Sequence, residues 1–552
     1  MNHKKYQHHP VLDFPQRTWP DERITKPPIW CSVDLRDGNQ ALETPMTLEQ
    51  KLEFFKFLVK VGFKEIEVGF PAASDTEFQF VRTLIEDNLI PGDVTIQVLT
   101  QSREPIIRRT FESLKGVHKA TVHLYNATSP LFRDVVFQKS RKETIELAVF
   151  GASLFNTLAD EAGAERFVFE YSPECFSQTE PDYAVEVCNA VITCWESRKV
   201  IINLPFTVES AMPNVHADLL EYVCGKLLNR ENIVVSLHAH NDRGTAVAAT
   251  EMCLLAGADR VEGTLFGNGE RTGNADLITL AFNLYSQGID PGLDFSELDA
   301  AIAIYEKSTC LPVHPRHPYA GGLVYTAFSG SHQDAIRKGM VRMKDSPGSW
   351  NVPYLPIDPK DVGRSYDPII RFNSQSGSSS VAYILETNYH IHIPKSLQRD
   401  FGPIVIDESN TKSAELSPAE IYELFNKAYV NLDIPVKLVS WQESHLLNDV
   451  GLITGILEVS GKRKPIRGRG SGIVEAFCQA ISEIFSVACE VTHYSQHSMD
   501  SGAGAKARAI TYVEINMGSD KFFGVGVSSN IATSSLLAVI SAVNRFMGQV
   551  EH

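Results

Sequence analysis

Short apolar runs of strand length recur along the first half of the chain, and longer segments with helical spacing separate them. The apolar runs predict eight strands, at Ile29–Val33, Glu65–Gly69, Thr95–Leu99, Ala120–Leu124, Arg166–Phe169, Val200–Leu204, Ile233–Leu237 and Arg260–Phe266. The longer segments predict eight helices, at Thr47–Val61, Thr76–Glu86, Pro105–Leu114, Glu143–Ala162, Tyr183–Trp195, Ala217–Leu228, Thr245–Leu255 and Ala275–Tyr285. Such alternation over roughly 260 residues is typical of a (β/α)8 TIM barrel, an α/β fold. An open doubly wound sheet is the alternative, but no Gly-x-Gly-x-x-Gly sequence follows an early strand.

The regions on either side of this alternating pattern differ from it in texture. Residues 1–27 are polar and interrupted by prolines, which predicts an N-terminal arm before a barrel at 28–304. Residues 305–430 combine short helical pieces such as His332–Gly339 with irregular stretches such as Pro353–Pro359. Because long irregular stretches often carry function, we expect helical linker subdomains with mobile loops here.

The last part of the chain, residues 431–552, contains an internal repeat. Gly468–Gly472 precedes a predicted helix at Ile473–Phe485, and Gly524–Asn530 precedes another at Ala532–Phe546. Strand-like segments come before each glycine-rich stretch. Two copies of such a unit predict a small pseudo-symmetric α+β domain. Backbone N–H groups at the helix starts are candidates to hold an anion, although both stretches lack a Walker lysine.

The composition excludes several classes of protein. The 552 residues are enough for about two to four domains with a large core. A net charge of −16 argues against a general nucleic-acid binder, whose affinity comes mostly from basic residues. The nine cysteines are scattered without a Cys-x-x-Cys pair, as in proteins of a reducing cytosol. With no signal peptide and no run of ~18 apolar residues, we expect a cytoplasmic protein that does not span a membrane.

Polar side chains stand at the carboxyl ends of nearly all the predicted strands. The seventh strand runs into His238 and His240, which point the same way because side chains alternate along a strand. The first strand runs into Arg36 and Asp37, and Asn274 follows the eighth. In a TIM barrel these strand ends meet at one face, where the chemistry takes place. We therefore expect the five side chains to converge on one site.

The expected site offers one carboxylate, two imidazoles and one amide oxygen, from Asp37, His238, His240 and Asn274. This mixed nitrogen and oxygen set suits a divalent cation that keeps positions open for substrate or water. Such a cation would polarise a 2-oxo acid. Arg36 is placed to hydrogen-bond the substrate oxygen on which charge develops. Glu174, after the fifth strand, is a candidate for orienting a base or a water.

Long motifs in the barrel region resemble those of a known group of enzymes. LRDGNQ at 35–40, followed after ten residues by Lys51, and SLHAHNDRGTAVA at 236–248 resemble the paired signatures of the isopropylmalate and homocitrate synthases. FGNGERTGN at 266–274 resembles the segment that completes the metal site of that group. The agreement is long and ordered, so it indicates membership of this group.

Later motifs narrow the resemblance, which runs from about residue 28 to the end of the chain. FSGSHQDAI at 328–336, PYLPIDPKDVGR at 353–364 and NSQSG at 373–377 resemble the longer, actinobacterial and fungal 2-isopropylmalate synthases. The C-terminal repeat resembles their leucine-binding regulatory domain. The chain departs from the family at Gly504-Ala505-Lys506-Ala507, where relatives often read Gly-Ala-Asp-Ala. A second departure is the turn Ser528-Ser529-Asn530, which more usually contains an acidic residue.

The resemblance implies a ligand set and a substrate pocket. It assigns a divalent cation, with Mg²⁺ as first choice and Mn²⁺ or Zn²⁺ as alternatives, to Asp37, His238, His240 and Asn274. It places Arg36 beside the keto oxygen. Around the keto acid it places His123, Ser172, Asn203, Pro205 and Thr207. Thr207 is expected near the carboxylate of that acid.

The resemblance also implies catalytic groups. Glu174 with His332 resembles the family's acid–base pair, and Tyr354 resembles a linker tyrosine that reaches the site. His332 and Tyr354 are expected to come from the partner subunit, so a homodimer would be obligatory for catalysis. His314 and His317 have no counterpart among the family's functional residues and are predicted to be loop residues.

The activity implied is the condensation of acetyl-CoA with 3-methyl-2-oxobutanoate, the first committed step of leucine biosynthesis, with leucine as feedback inhibitor. Homocitrate or citramalate synthases, which use other keto acids, are the nearest alternative. Lyases of the hydroxymethylglutaryl-CoA type share the barrel but carry a cysteine in the glycine loop, and Phe266–Asn274 has none. Amidohydrolases carry their His-x-His on the first strand. A leucine sensor without catalysis is disfavoured because every metal and acid–base position is filled.

Overall fold

Eight parallel strands close into a barrel in the order of the chain, which confirms the predicted TIM barrel. The strands are β1 (Ile29–Ser32), β2 (Glu65–Gly69), β3 (Thr95–Gln101), β4 (Ala120–Ala127), β5 (Phe167–Glu174), β6 (Val200–Phe206), β7 (Ile233–Ala239) and β8 (Arg260–Gly263). The sheet closes on itself because β1 pairs with both β2 and β8. This computed structural model describes residues 2–5, 9–10, 12–195, 198–326, 330–345, 348–364, 378–412, 416–446, 450–499 and 507–550.

Helices follow the strands in the predicted places. They are α1 (Leu48–Val61), α2 (Asp75–Glu86), α3 (Glu104–Ser113), α4 (Arg141–Ala162), α5 (Pro181–Cys194), α6 (Pro213–Cys224), α7 (Ala246–Leu255) and α8 (Leu277–Ser286), with α9 (Leu298–Thr309) after the barrel. Local chemistry sets their starts. Thr47, for example, forms a capping box with Gln50, which satisfies two backbone N–H groups at the start of α1.

The predicted eighth strand was wrong at its carboxyl end. β8 stops at Gly263, and Leu265–Gly267 forms a helical turn. Phe266 has a φ of 58°, a left-handed conformation that a strand cannot contain. Its ring packs against Tyr305 with centroids 4.8 Å apart. The apolar residues that suggested a longer strand therefore serve the packing of a turn.

The N-terminal arm docks on α6. Trp19 is buried, and its Nε1 donates a hydrogen bond to Asp218 at 2.8 Å. The backbone N–H of Thr18 donates to Glu221 at 2.9 Å, and Phe14 meets the ring of Tyr222 edge-on at 5.7 Å. Aromatic side chains among the polar residues thus hold this end of the arm against the barrel.

His216, in the first turn of α6, is fully buried among aromatic rings. It stacks on Phe206 with centroids 4.1 Å apart, and Phe206 in turn stacks on Phe176. Both ring nitrogens of His216 lack a hydrogen-bond partner in the described part of the chain. Burial lowers the pKa of His216 to about 3. The imidazole is therefore neutral in the folded protein at ordinary pH.

His216→Phe is expected to make the protein more resistant to acid. In the unfolded chain the histidine takes up a proton below pH 6.5, whereas in the folded chain it does so only near pH 3. The wild type therefore loses about 1.4 kcal/mol of stability per pH unit as the pH falls below 6.5. Because phenylalanine does not titrate, its advantage should grow by about 2 kcal/mol between pH 6.5 and 5.

Melting temperatures of wild type and His216→Phe across pH 5 to 8, with exposed His118→Gln as control, test this expectation. A gap between wild type and His216→Phe that stays constant over that range would contradict it.

The chain divides into two units, Met1–Val324 with Ile357–Ser365 and Tyr325–Pro356 with Tyr366–His552. The second unit contains more helix than the pattern suggested: α10 (Gly330–Asp345), α11 (Ser378–Tyr389), α12 (Lys395–Lys412) and α13 (Pro418–Tyr429). The prediction of short helical pieces missed α11 to α13. The domain limits at 27, 304 and 430 stay predictions, and both NSQSG at 373–377 and Lys506 lie outside the described residues.

Two matching halves form the end of the second unit, which confirms the repeat. The first half is β9 (Val436–Leu446), β10 (Val450–Val459), β11 (Lys462–Gly470) and α14 (Ile473–Phe485). The second is β12 (Cys489–Ser498), β13 (Ala509–Met517), β14 (Asp520–Ser528) and α15 (Ile531–Val550). Each half is a three-stranded antiparallel sheet, ordered β11-β10-β9 and β12-β13-β14.

The glycines of the repeat lie in strands, where they allow a helix to pack closely. A Cβ on Gly468 in β11 would stand 1.9 Å from the carbonyl oxygen of Ala476 in α14. A Cβ on Gly526 in β14 would stand 1.9 Å from the carbonyl oxygen of Ser534 in α15. These glycines therefore serve strand–helix packing. Gly472, by contrast, is at the start of α14, and open space surrounds its Cα.

One hydrophobic core in the second unit spans the predicted boundary at 430. Phe401 and Phe425, from α12 and α13, are buried in the same cluster as Ile510, Phe523 and Val525 from β13 and β14. The linker helices and the second sheet are therefore packed together as one layer.

The long apolar helix α15 also belongs to a core. It is the one described helix long and apolar enough, by length and composition, to cross a membrane. Leu536, Val539, Ile540 and Val543 are fully buried within its own domain. Burial in this core accounts for the apolar face of the helix, since core helices pass the same test.

Candidate active site

A pocket of about 250 Å³ opens at the carboxyl ends of the barrel strands. Most of the predicted site residues line it: Arg36, Asp37, His123, Ser172, Glu174, Asn203, Pro205, Thr207, His238 and His240. Side chains that the sequence analysis did not assign to the site complete the wall: Gln40, Leu99, Tyr125, Glu270 and Arg271. The expected convergence of strand ends on one pocket is therefore what the barrel produces.

Asp37, His238 and His240 offer ligand atoms that all lie within 4.8 Å of one another. The Nε2 atoms of His238 and His240 are 3.5 and 3.3 Å from Oδ2 of Asp37. Nδ2 of Asn274 donates to the same oxygen at 2.7 Å. The four side chains predicted as a ligand set thus meet around one carboxylate.

Unsatisfied atoms indicate that this cluster is shaped for a cation. Both ring nitrogens of His240 and Oδ1 of Asn274 are buried without a hydrogen bond of good geometry among the described residues. Burial lowers the pKa of His238, but Asp37 and Glu262 raise it to about 9, so the cluster attracts positive charge. Buried, unpaired nitrogen and oxygen donors in a negative environment fit a divalent cation.

Glu262 fixes the orientation of His238. Its Oε2 accepts a hydrogen bond from Nδ1 of His238 at 2.8 Å. Because the carboxylate can only accept, the proton of the neutral ring belongs on Nδ1, which leaves the lone pair of Nε2 facing Asp37. A carboxylate behind a ligating histidine is a common arrangement at metal sites and raises the basicity of the ligand.

A hydrogen-bonded chain crosses the floor of the pocket. Nδ1 of His123 bonds Glu67 at 3.0 Å, so the proton lies on that nitrogen. Nε2 of His123 then accepts from the Ser172 hydroxyl at 2.6 Å, and Ser172 accepts from Nδ2 of Asn203 at 3.0 Å. Oδ1 of Asn203 is buried without a partner among the described residues. The chain fixes the direction of each donor that faces the pocket.

A buried charged layer beneath the pocket was missed by the sequence analysis. Arg260 is fully buried and donates to Glu262 at 2.9 Å, to Gln97 at 2.7 Å and to Glu65 at 2.6 Å. Glu170 is also fully buried, and burial beside the other glutamates raises its pKa well above the usual range. Charged residues in the middle of apolar strands were the available signal, since they must find partners inside the barrel.

Arg36 stands at the edge of the ligand set. Its Nε donates to Glu67 at 2.5 Å and its Nη1 to Asp37 at 2.8 Å. Within the part of the chain that the structure describes, Nη2 makes no hydrogen bond, and the side chain lines the pocket. Burial raises the pKa of Asp37, but Arg36 and the two imidazoles hold it well below its usual range. The guanidinium therefore keeps the carboxylate charged and has a donor left for a ligand.

Glu174, at the end of β5, is a mostly buried carboxyl group on the pocket wall. Burial raises its pKa, and the opposing effect of Arg36 is smaller. Its carboxylate makes no hydrogen bond to any other described residue. A carboxyl group with a raised pKa in a pocket has the properties of an acid–base catalyst.

His332 and Tyr354 lie in the second unit and pair with each other. The ring of His332, in α10, packs on the ring of Tyr354 with centroids 4.1 Å apart. Tyr354 is 63% exposed, and His332 is exposed as well. Both side chains are therefore presented to solvent in this chain. Their predicted roles in catalysis stay predictions.

Family models match successive parts of the chain. An HMGL-like model matches residues 27–304, which contain the barrel. A model of the post-catalytic domain of alpha-isopropylmalate synthase matches residues 322–386. A model of the LeuA allosteric (dimerisation) domain matches residues 415–547.

Whole proteins match along their full length. The 2-isopropylmalate synthase of Acetoanaerobium sticklandii is 56% identical to this chain, with 99% of this chain and 97% of that protein covered. The 2-isopropylmalate synthases of Clostridium acetobutylicum and of Pseudomonas putida strain W619 are 50% and 51% identical, again with 99% of this chain covered. With a barrel, a post-catalytic segment and a C-terminal repeat in the same order, the chain belongs to the 2-isopropylmalate synthase family.

Proposed function

We propose that the protein condenses acetyl-CoA with 3-methyl-2-oxobutanoate, giving 2-isopropylmalate and free CoA. This reaction is the first committed step of leucine biosynthesis. The observation that carries the proposal is the convergence of Arg36, Glu174 and the cluster of Asp37, His238 and His240 on one pocket. Relatives with half or more of the same residues are 2-isopropylmalate synthases.

The ligand set would be Asp37, His238, His240 and Asn274, with Mg²⁺ as the first candidate and Mn²⁺ or Zn²⁺ as alternatives. A cation held there supplies Lewis-acid polarisation of the 2-oxo group. The chain itself fixes the ligands in advance, through Glu262 behind His238 and through the contact of Asn274 with Asp37. Preorganised ligands need little rearrangement when substrate binds.

The rest of the pocket binds and orients the keto acid. Arg36 donates from Nη2 to the 2-oxo oxygen, where negative charge develops. His123, Ser172 and Asn203 present fixed hydrogen-bonding groups, and Thr207 is assigned to the carboxylate. Leu99 and Pro205 supply apolar wall for the branched alkyl group. The pocket is large enough for a small acid, so the bulk of acetyl-CoA would remain outside it.

Glu174 and His332 are assigned as the acid–base pair. A base of this pair removes a proton from the acetyl methyl group, and the resulting enolate attacks the carbon of the 2-oxo group. Thioester hydrolysis then releases CoA and makes the reaction irreversible. The raised pKa of Glu174 brings its proton exchange closer to neutral pH. We assign His332 and Tyr354 to the partner subunit of a homodimer, an assignment supported by the match to a dimerisation domain.

A thiol-release assay tests the proposed activity. Purified protein with a divalent cation and acetyl-CoA should release CoA rapidly with 3-methyl-2-oxobutanoate. Release with 2-oxoglutarate or pyruvate should be much slower, although keto acids that differ by one methylene are separated by only about 1–3 kcal/mol. Preference for 2-oxoglutarate or pyruvate would assign the chain to homocitrate or citramalate synthesis, and absence of release with all three would refute the synthase assignment.

The C-terminal repeat is assigned as a leucine-binding regulatory domain. Glu475 caps Ser471 at the start of α14, and the N-cap Gly472 has no side chain to occupy the first N–H groups of the helix. Those groups are suited to the carboxylate of an amino acid. Leucine would act by favouring a less active state, so binding and inhibition must be coupled.

Millimolar leucine is therefore expected to inhibit turnover and to release heat on binding, whereas leucinamide, which lacks the carboxylate, should do neither. Gly472→Asp should abolish both effects, because its carboxylate would occupy the N–H groups at the start of α14. Gly472→Ala is the matched control, since open space surrounds this position. Heat of binding without inhibition would separate a sensor from a regulator, and neither effect in the wild type would contradict the assignment.

The cytoplasm is the proposed location. All nine cysteines lie in the described residues and are free thiols, and most of them are buried. Free thiols at this number are usual in a reducing compartment. No nucleic-acid or membrane partner is proposed, given the net charge of −16 and the buried position of α15.

A further inference from the structure

The loop after α9, residues 314–324, folds back on itself against the barrel. The backbone N–H of Gly321 donates to His317 at 2.9 Å, and that of Leu323 donates to Pro315 at 2.9 Å. Tyr319 anchors the loop through its hydroxyl, which donates to Asn283 of α8 at 2.8 Å. The loop is thus held in place independently of the contact that His317 makes.

His317 points from this loop towards the segment that carries Asn274. Its Nε2 lies 2.8 Å from Oδ2 of Asp276, and its Nδ1 bonds the carbonyl oxygen of Pro318 at 2.9 Å. The edge of the same ring meets Phe266, with centroids 5.3 Å apart and planes at 72°. One imidazole therefore touches both ends of the segment 266–276.

That segment needs support from outside. Phe266, Gly267, Gly269, Arg271 and Gly273 all have positive φ, and two of them are not glycine. Left-handed conformations at non-glycine residues are disfavoured and persist only where the surroundings impose them. Inside the segment, the N–H of Asn274 donates to Gly267 at 2.9 Å. A shift at either end would therefore move Asn274 away from Asp37.

The far end of the segment is also the start of α8. Oδ1 of Asp276 caps that helix by accepting from the N–H of Ile278 at 3.0 Å. With Oδ1 directed at the helix, Oδ2 is the oxygen left for His317. The ion pair is mostly shielded from water, with both side chains 12% exposed, so it constrains position more than a surface pair does.

We propose that His317 is a positioning residue for the divalent-cation site: by bridging Phe266 and Asp276, it holds the segment 266–276 so that Asn274 stays beside Asp37. The inference rests on the proposed ligand set. His317 touches neither substrate nor cation. Its loss should weaken cation binding while the barrel, which closes through its own strands, keeps its fold.

Titration of the metal-free protein with Mn²⁺, followed by the EPR signal of the free ion and without substrate, measures the effect directly. His317→Ala should weaken Mn²⁺ binding about tenfold or more, the usual effect of removing a residue that supports metal ligands. His317→Phe keeps a ring against Phe266 but loses the contact with Asp276, so it should weaken binding severalfold. His314→Ala, in the same loop but exposed, is the matched control and should bind like the wild type.

Melting temperatures of the metal-free proteins separate positioning from general stability. They should be nearly the same for the wild type and His317→Phe, while the Mn²⁺ affinities differ. Wild-type affinity in His317→Phe and His317→Ala would overturn the inference. If His317→Ala does not fold, the volume-conserving His317→Phe decides alone. His240→Ala in the same titration shows which idea fails: unchanged binding in that variant would refute the ligand set itself.

Discussion

Replacing His240 by alanine is expected to lower turnover by about three orders of magnitude or more, because a bound Lewis acid supplies several kcal/mol of transition-state stabilisation. His240 is buried, and both its ring nitrogens lack hydrogen bonds of good geometry in the described structure. Loss of the imidazole therefore removes a ligand without breaking another contact. The fold should survive, since β7 stays paired with β6 and β8.

The measurement is CoA release by wild type and His240→Ala after removal of metal by a chelator, with Mg²⁺ or Mn²⁺ then added back. The wild type should be silent without metal and active with it, and the variant should be inactive in both conditions. His118→Ala, at an exposed position, serves as the matched control. Full activity of metal-free His240→Ala would remove the basis for a catalytic cation at this cluster.

Glu174→Gln and His332→Ala are each expected to abolish turnover, by about 10²- to 10⁴-fold, because each removes one partner of the proton transfer. Glutamine keeps the shape of Glu174 on the pocket wall and cannot take up a proton. His332 is exposed in this chain, so its removal should leave the packing of α10 intact. Circular dichroism and melting temperatures of both variants check that the fold is kept.

Mixing the two inactive variants tests whether the site is shared between subunits. If Glu174 and His332 of one site come from different chains, each hybrid dimer contains one intact site. Random exchange would then restore about a quarter of the wild-type activity, since half of the dimers are hybrids and half of their sites are intact. Activity that stays at the level of the separate variants, after exchange has been verified by mass spectrometry, would mean that each chain is self-sufficient.

The barrel was predictable because buried parallel strands and their covering helices leave distinct periods in the sequence. The prediction was wrong where two elements share the same apolar residues. Leu265 and Phe266 continue the apolar run of β8, and only the backbone reversal at Phe266 shows that they belong to a turn. In α12, polar residues and Pro403 within the helix weakened the helical pattern.

The candidate site was predictable to the extent that its residues stand at strand ends. His238 and His240 share a direction because of the strand period, and Asp37 follows β1. The residues behind them could not be ordered from the sequence, because which charged side chains meet inside a barrel depends on strand register. Arg260 reaches Glu65 and Gln97 through pairings that only the closed sheet defines.

The shared core of linker helices and second sheet limits how this protein can be recombined with its relatives. A chimera joined at residue 430 would set Phe401 and Phe425 of one parent against Ile510 and Phe523 of another. Such junctions leave mismatched volumes, and a buried mismatch of one or two methylenes already destabilises by about 1–3 kcal/mol. Regulatory properties should therefore be transferable only as a cassette that begins at α11 and includes everything after it.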